Sequence, residues 1–283
     1  MDAGTRANAL GMVVNLALAV SKLVVGTLAG SHALVADGLN SAGDVVATGI
    51  AWVGWRASQQ PPDANHPGGH GKYDAVAGLT IGAILLATGV LISVEGVRAL
   101  AAGDVHTPGM AAAWVAGITA LVKEGLYRYV YRIGAELRSA AILASARDHR
   151  ADVLTALTVL CGVLAARLGL PWLDPLAAAA IGVVIVWLAL EPLAESWRIL
   201  TDEVDPEAVH TVRAAALADP DVRAVREVRL HPKGPYMLAD LEIDVDRTLT
   251  VAAAHAIAHR VQDRVVAARD GLEAATVHVN PAE

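Results

Sequence analysis

The sequence has little cysteine, little charge and few aromatics. A single cysteine, Cys161, in 283 residues excludes a disulfide-stapled scaffold and a thiolate metal centre, so any bound metal must use His, Asp, Glu or Asn. Charged residues make up 18% and aromatics 4%, with a net charge of −7. No basic run or basic–aromatic patch occurs, and nucleic-acid binding has no support. A cleavable signal peptide is not expected, because the first apolar stretch is long enough to span a bilayer and lacks a clear small-residue cleavage site. What is abundant is apolar: 55% of residues are hydrophobic and the mean hydropathy is +0.47. That excludes disorder, and the unperiodic glycine excludes collagen.

A helix needs about 20 apolar residues to cross roughly 30 Å of hydrocarbon. Six stretches qualify, at approximately 7–29, 32–57, 74–100, 109–131, 141–168 and 173–199. The breaks are Ala29-Gly30-Ser31, Pro61-Pro62 to Gly71, Gly103 to Pro108, Arg132 to Arg138 and Gly169 to Pro171. The first and last are short enough to make spans 1–2 and 5–6 antiparallel hairpins. An inside N-terminus places Arg6, Arg56, Lys72, Arg128, Arg132 and Arg138 on the inner side and leaves only Arg98 and Arg167 outside. Both termini are then cytoplasmic, and the protein is a multi-pass component of the cell (inner) membrane.

Residues 1–202 hold 28 of the 51 charged side chains, and residues 203–283 hold the other 23. The chain therefore divides into a transmembrane domain, 1–202, and a cytoplasmic domain, 203–283. The second part reads as a helix from about Pro206, a strand over Val222–Leu230, the Lys233-Gly234-Pro235 turn and a strand near Leu238–Asp246 with period-two alternation. A helix over Val251–Ala268 and a strand over Ala274–Val279 follow. The order α-β-β-α-β gives a small α+β sandwich with both helices on one face of the sheet.

Ionisable groups at membrane depth are costly and mark pathways or sites. Span 2 carries Asn40 and Asp44, and span 5 carries Asp148 and Asp152. Each pair is spaced i, i+4 and shares a helix face. Two such faces turned together outline a cation site. Asp148 lies near the start of its span, where a helix-capping role is the alternative, and Asp37 reads as either a cap or a vestibule group. His149, three residues from Asp152, replaces Asp148 as a ligand if the helix rotates modestly. A second constellation, Asp63, His66 and His70, lies in the glycine-rich loop after span 2, with ligand types suited to a divalent metal.

In this order, these elements resemble the cation diffusion facilitator family of divalent-metal transporters. The resemblance covers essentially the whole chain: six spans, Gly30-Ser31 to Asp44, His66 to Lys72, Lys123-Glu124 with Tyr127-Arg128-Tyr129, Asp148 to Asp152, and the soluble tail. It implies a transport site at Asn40, Asp44, Asp148 and Asp152, loop ligands at Asp63, His66 and His70, and a charge interlock between Lys72 and Asp202. It also implies a homodimer whose ferredoxin- or metallochaperone-like tails meet and bind further metal. Glu242, His255 and His278 are the tail's candidate ligands, with His231 a further one. Arg226 and Asn280 depart from the family's tail ligands, so fewer tail sites are expected.

Three carboxylates and an amide suit a hard, oxygen-preferring cation, whereas zinc favours nitrogen or sulfur in a tetrahedral shell. The expected cargo is Mn(II), with Fe(II) next and Zn(II) or Co(II) behind. Carboxylates must be deprotonated to bind it, which suggests proton-coupled efflux by alternating access. A membrane-anchored metal sensor without transport is the principal rival. An intramembrane acid–base enzyme is another, but it gives Asn40 and the loop histidines no role, so a non-enzyme is expected.

Overall fold

The structure is a computed structural model and describes residues 3–103, 105–136, 140–234 and 236–282. Arg138 and Pro235, used above in the orientation and the turn, lie outside the described residues. Six long helices come first: α1 (Ala3–Ala29), α2 (His32–Ser58), α3 (Lys72–Ala102), α4 (Met110–Glu136), α5 (Ala140–Arg167) and α6 (Leu173–Leu200). Among the described residues, four contain a segment long and apolar enough to cross a membrane: Met12–Ala29, Lys72–Ala102, Asp148–Arg167 and Leu173–Leu200. Helices α2 and α4 have the length but are more polar, since α2 carries Asp37, Asn40 and Asp44 and α4 carries Lys123, Glu124 and Arg128.

The chain divides into two compact units, one formed by residues 1–49 and 81–191 and the other by residues 50–80 and 192–283. In the first, a core of Ala33, Leu34, Ala36, Ile92, Ala112, Ala116, Val159, Val163, Ala178, Ile181 and Ile185 joins α2 to α6. Small residues dominate because helices pack in lipid by close backbone approach. A methyl group at Gly89 or Gly96 of α3 would lie 2.8 Å from α6 backbone atoms, so larger residues there would force the helices apart. At the α1–α2 hairpin Gly30 takes φ 67, a left-handed conformation that glycine adopts without strain. Buried Asp174, at the start of α6, then accepts from Ser31 Oγ at 2.6 Å and the His32 N–H at 2.6 Å. It satisfies the otherwise orphaned first turn of α2.

In the second unit, α7 (Pro206–Leu217), β1 (Ala224–Pro232), β2 (Met237–Val245), α8 (Val251–Ala267) and β3 (Leu272–Pro281) follow. The strand order is β1-β2-β3, with β1 antiparallel and β3 parallel to β2. Asp205 caps α7 ahead of Pro206, and Thr250 caps α8. Ala239, Leu241, Ile243 and Val245 alternate inward and pack on Val212, Ala216, Ile257, Val261 and Val265. Asp240, Glu242 and Asp244 therefore fall on the opposite face, as the period of two requires.

Candidate metal centres

Asn40 and Asp44 lie on α2, half-buried, and Asp152 lies on α5 with 14% of its side chain exposed. Asp148 lies more than two turns inside α5, so helix capping does not explain it. Its side chain is exposed, whereas the neighbouring His149 is buried and its Nδ1 has no hydrogen-bond partner. Among the described residues, the one group of three His, Asp or Glu ligand atoms within 4.8 Å of one another is Asp63, His66 and His70. Asp44, Asp148 and Asp152 do not form such a group.

Among the described residues, the interior holds two lysines that composition did not single out as site residues. Lys123 of α4 donates to the Asp152 carboxylate and to Asn15 Oδ1, the latter at 2.7 Å, with 1% of its side chain exposed. Lys22 of α1 pairs with Asp37 at 2.8 Å and donates to Ser41 Oγ at 2.9 Å. Asp37 is thus a partner in a fully buried ion pair, not a cap or a vestibule group. The signal was present in the sequence: a lysine inside an apolar helix needs a carboxylate partner.

The loop between α2 and α3 folds around Asp63. Its Oδ1 accepts from the His66 N–H at 2.6 Å and the Asn65 N–H at 2.9 Å. These backbone N–H donors, that of His66 above all, hold the Asp63 carboxyl below the usual carboxylate range. Buried His70 directs Nδ1 at the Pro61 carbonyl, 3.1 Å away, and Nε2 at Asp63 Oδ2, 3.4 Å away. A carbonyl accepts only, so it selects the Nδ1–H tautomer and turns the Nε2 lone pair toward the carboxylate. Two lone-pair donors facing each other repel unless a cation lies between them, which makes the loop chemically suited to a metal. The loop also depends on its glycines, since a methyl group at Gly71 would lie 2.0 Å from the Lys233 carbonyl.

At the adjacent end of the same unit, Lys72 Nζ donates to Asp202 Oδ1 at 2.9 Å, and His231 Nδ1 lies 3.1 Å from Asp202 Oδ2. Burial raises the Asp202 pKa, but hydrogen bonds from Lys72 and His231 outweigh it and the net direction is down. His231 Nε2 faces Asp240 at 3.3 Å.

The proposed tail ligands are not brought together within one chain. Glu242 and His278 are register partners on β2 and β3 and share a cavity of about 260 Å³ on the open face of the sheet. Arg229 lines the same cavity, bonded to Glu227 at 2.8 Å and 2.6 Å, and a metal there would compete with its charge. His255 is on α8, which packs on the other face. Its Nε2 lies 3.1 Å from that of His259, an i, i+4 imidazole pair that the sequence reading missed. Arg226 is bonded to Asp244 at 2.6 Å.

Comparison with known proteins agrees with this organisation. Residues 9–201 match the family described as the cation efflux transmembrane domain, and residues 204–282 match the cation efflux protein cytoplasmic domain. An uncharacterized transporter, YdbO, of Bacillus subtilis (strain 168) is 33% identical over 98% of this chain and 96% of its own length. The manganese efflux system protein MneP of the same organism is 31% identical over 96% of this chain and 94% of its own. The manganese efflux system protein MneS, also from that organism, is 30% identical over 95% and 92%.

Proposed function

We propose that this chain, which belongs to the cation efflux family of membrane transporters, exports Mn(II) from the cytoplasm in exchange for protons. Membership of a family of transporters supports a transporter over the intramembrane enzyme. The observation that supports the choice of metal is that the polar side chains Asn40 and Asp44 on α2 and Asp148 and Asp152 on α5, each pair at i, i+4, offer only oxygen. Such donors suit a cation that accepts more than four hard ligands. Two relatives are named manganese efflux proteins, which favours the same ion over Fe(II), Zn(II) or Co(II).

In this mechanism, the metal binds between α2 and α5 from the cytoplasmic side, the helices rock, and the ion leaves on the far side. Protons arriving at the same carboxylates expel it, because protonation and metal binding exclude each other. Residues 1–202 perform transport. Residues 203–283 pair two copies into a homodimer with both termini cytoplasmic in the inner membrane, and Lys72–Asp202 is a charge interlock between the start of α3 and the chain just after α6.

A second donor set rests on the buried, unpartnered Nδ1 of His149. With His149 in place of Asp148 the site gains a nitrogen and moves toward zinc or cobalt. Competitive uptake of Mn(II), Fe(II), Zn(II) and Co(II) by purified protein in vesicles decides between them. Mn(II) flux that collapses with the pH gradient is expected; preference for Zn(II), or indifference to the gradient, sinks the corresponding half of the proposal.

A further inference from the structure

We infer that Lys123 is a tethered cation that neutralises Asp152 while the transport site holds no metal and competes with the incoming ion for it. The inference rests on Asp152 being a transport ligand, as proposed above. Lys123 is 1% exposed and its ammonium reaches two acceptors on two other helices, Asp152 on α5 and Asn15 Oδ1 on α1 at 2.7 Å. A charged ammonium and a carboxylate at this depth are each costly alone and tolerable together.

The exposure of its carboxylate partner and the placing of its two acceptors on different helices distinguish this pair from a fixed structural one. Lys22 is held by Asp37 and Ser41, both on α2, and the pair is fully enclosed, with both side chains 0% exposed. Lys123 instead has a carboxylate partner that is 14% exposed and a neutral amide to retain when the carboxylate turns to a metal. With Lys123 charged, the three carboxylates Asp44, Asp148 and Asp152 are balanced by one divalent ion and one ammonium. A divalent ion beside Asp152 must then overcome repulsion from the ammonium, which holds binding weak enough for release.

The test titrates Mn(II) into the full-length protein at pH 8, in a background lacking the loop ligands (Asp63→Ala, His70→Ala). The signal lost in Asp44→Ala defines the transport site. Lys123→Met is expected to bind Mn(II) at least about tenfold tighter and to turn over more slowly in vesicles, while Lys123→Arg stays close to the parent. Asn15→Ala removes the alternative acceptor, pins the ammonium on Asp152 and is expected to weaken binding severalfold. Opposite shifts for the two variants are what a merely structural lysine would not produce. Unchanged or weaker binding in a folded Lys123→Met overturns the inference, as does unchanged binding in Asn15→Ala should Lys123→Met not fold. An Asp44→Ala protein that binds and transports like the parent sinks the transport-site assignment instead.

Discussion

Lys22 of α1 and Asp37 of α2 form an ion pair at 2.8 Å in which both side chains are fully buried. Removing one partner leaves the other charge uncompensated at membrane depth, a loss of about 3–5 kcal/mol in buried pairs. Lys22→Met and Asp37→Leu should each lower the thermal midpoint of the detergent-solubilised protein sharply. The double substitution should recover most of it. Additive losses would mean that the pair is not coupled.

Asp148 is exposed and His149 buried on the same turn of α5. If Asp148 is the ligand, Asp148→Ala abolishes Mn(II) flux and His149→Ala leaves most of it. The reverse pattern in a vesicle assay assigns the site to imidazole and removes the main reason to favour manganese.

In the loop, Asp63 faces the Nε2 of His70 at 3.4 Å. Asp63→Ala and His70→Ala should each weaken metal binding at this site by at least about tenfold, by analogy with the loss of supporting metal contacts. Gly71→Ala should do the same without touching a ligand, because its methyl group would displace the Lys233 backbone. Calorimetric titration of each variant checks this, and unchanged affinity for Gly71→Ala would show the loop to be adaptable.

Asp219, buried after α7, accepts from Arg260 Nε at 3.0 Å and Nη2 at 3.1 Å. The Arg260 hydrogen bonds hold its carboxyl below the ordinary value. An acid whose folded pKa is depressed contributes stability that is present above its unfolded value, about 3.9, and is lost as pH falls through the folded one. Asp219→Asn should therefore destabilise the cytoplasmic domain at neutral pH by about 1–3 kcal/mol and flatten its loss of stability below about pH 4. Parallel unfolding curves for parent and variant across that range would contradict the assignment.

The tail's candidate ligands are divided between the two faces of the sheet, and the Arg229 charge lines the cavity that Glu242 and His278 share. Fragment 203–283, which carries its own hydrophobic core, should bind fewer than two metals tightly per subunit on titration. Two or more tight sites would show that dimerisation assembles what one chain does not.

The sequence by itself determined the six long helices and the α-β-β-α-β tail, because hydropathy and periodicity are local properties. Asn40–Asp44 and Asp148–Asp152 were legible for the same reason: i, i+4 spacing puts both side chains on one face whatever surrounds the helix. Only the tertiary structure decided which buried charge meets which. Lys22 turns to Asp37, Lys123 reaches Asp152 and Asn15, and His149 rather than Asp148 is enclosed. Those choices depend on how each helix is rotated about its axis, and a rotation of one residue's arc exchanges neighbours without altering the hydropathy of the chain. His255 lies beside His259 and apart from Glu242 for a similar reason: α8 covers the apolar face of the sheet, and the alternation of β2 sends Glu242 to the other.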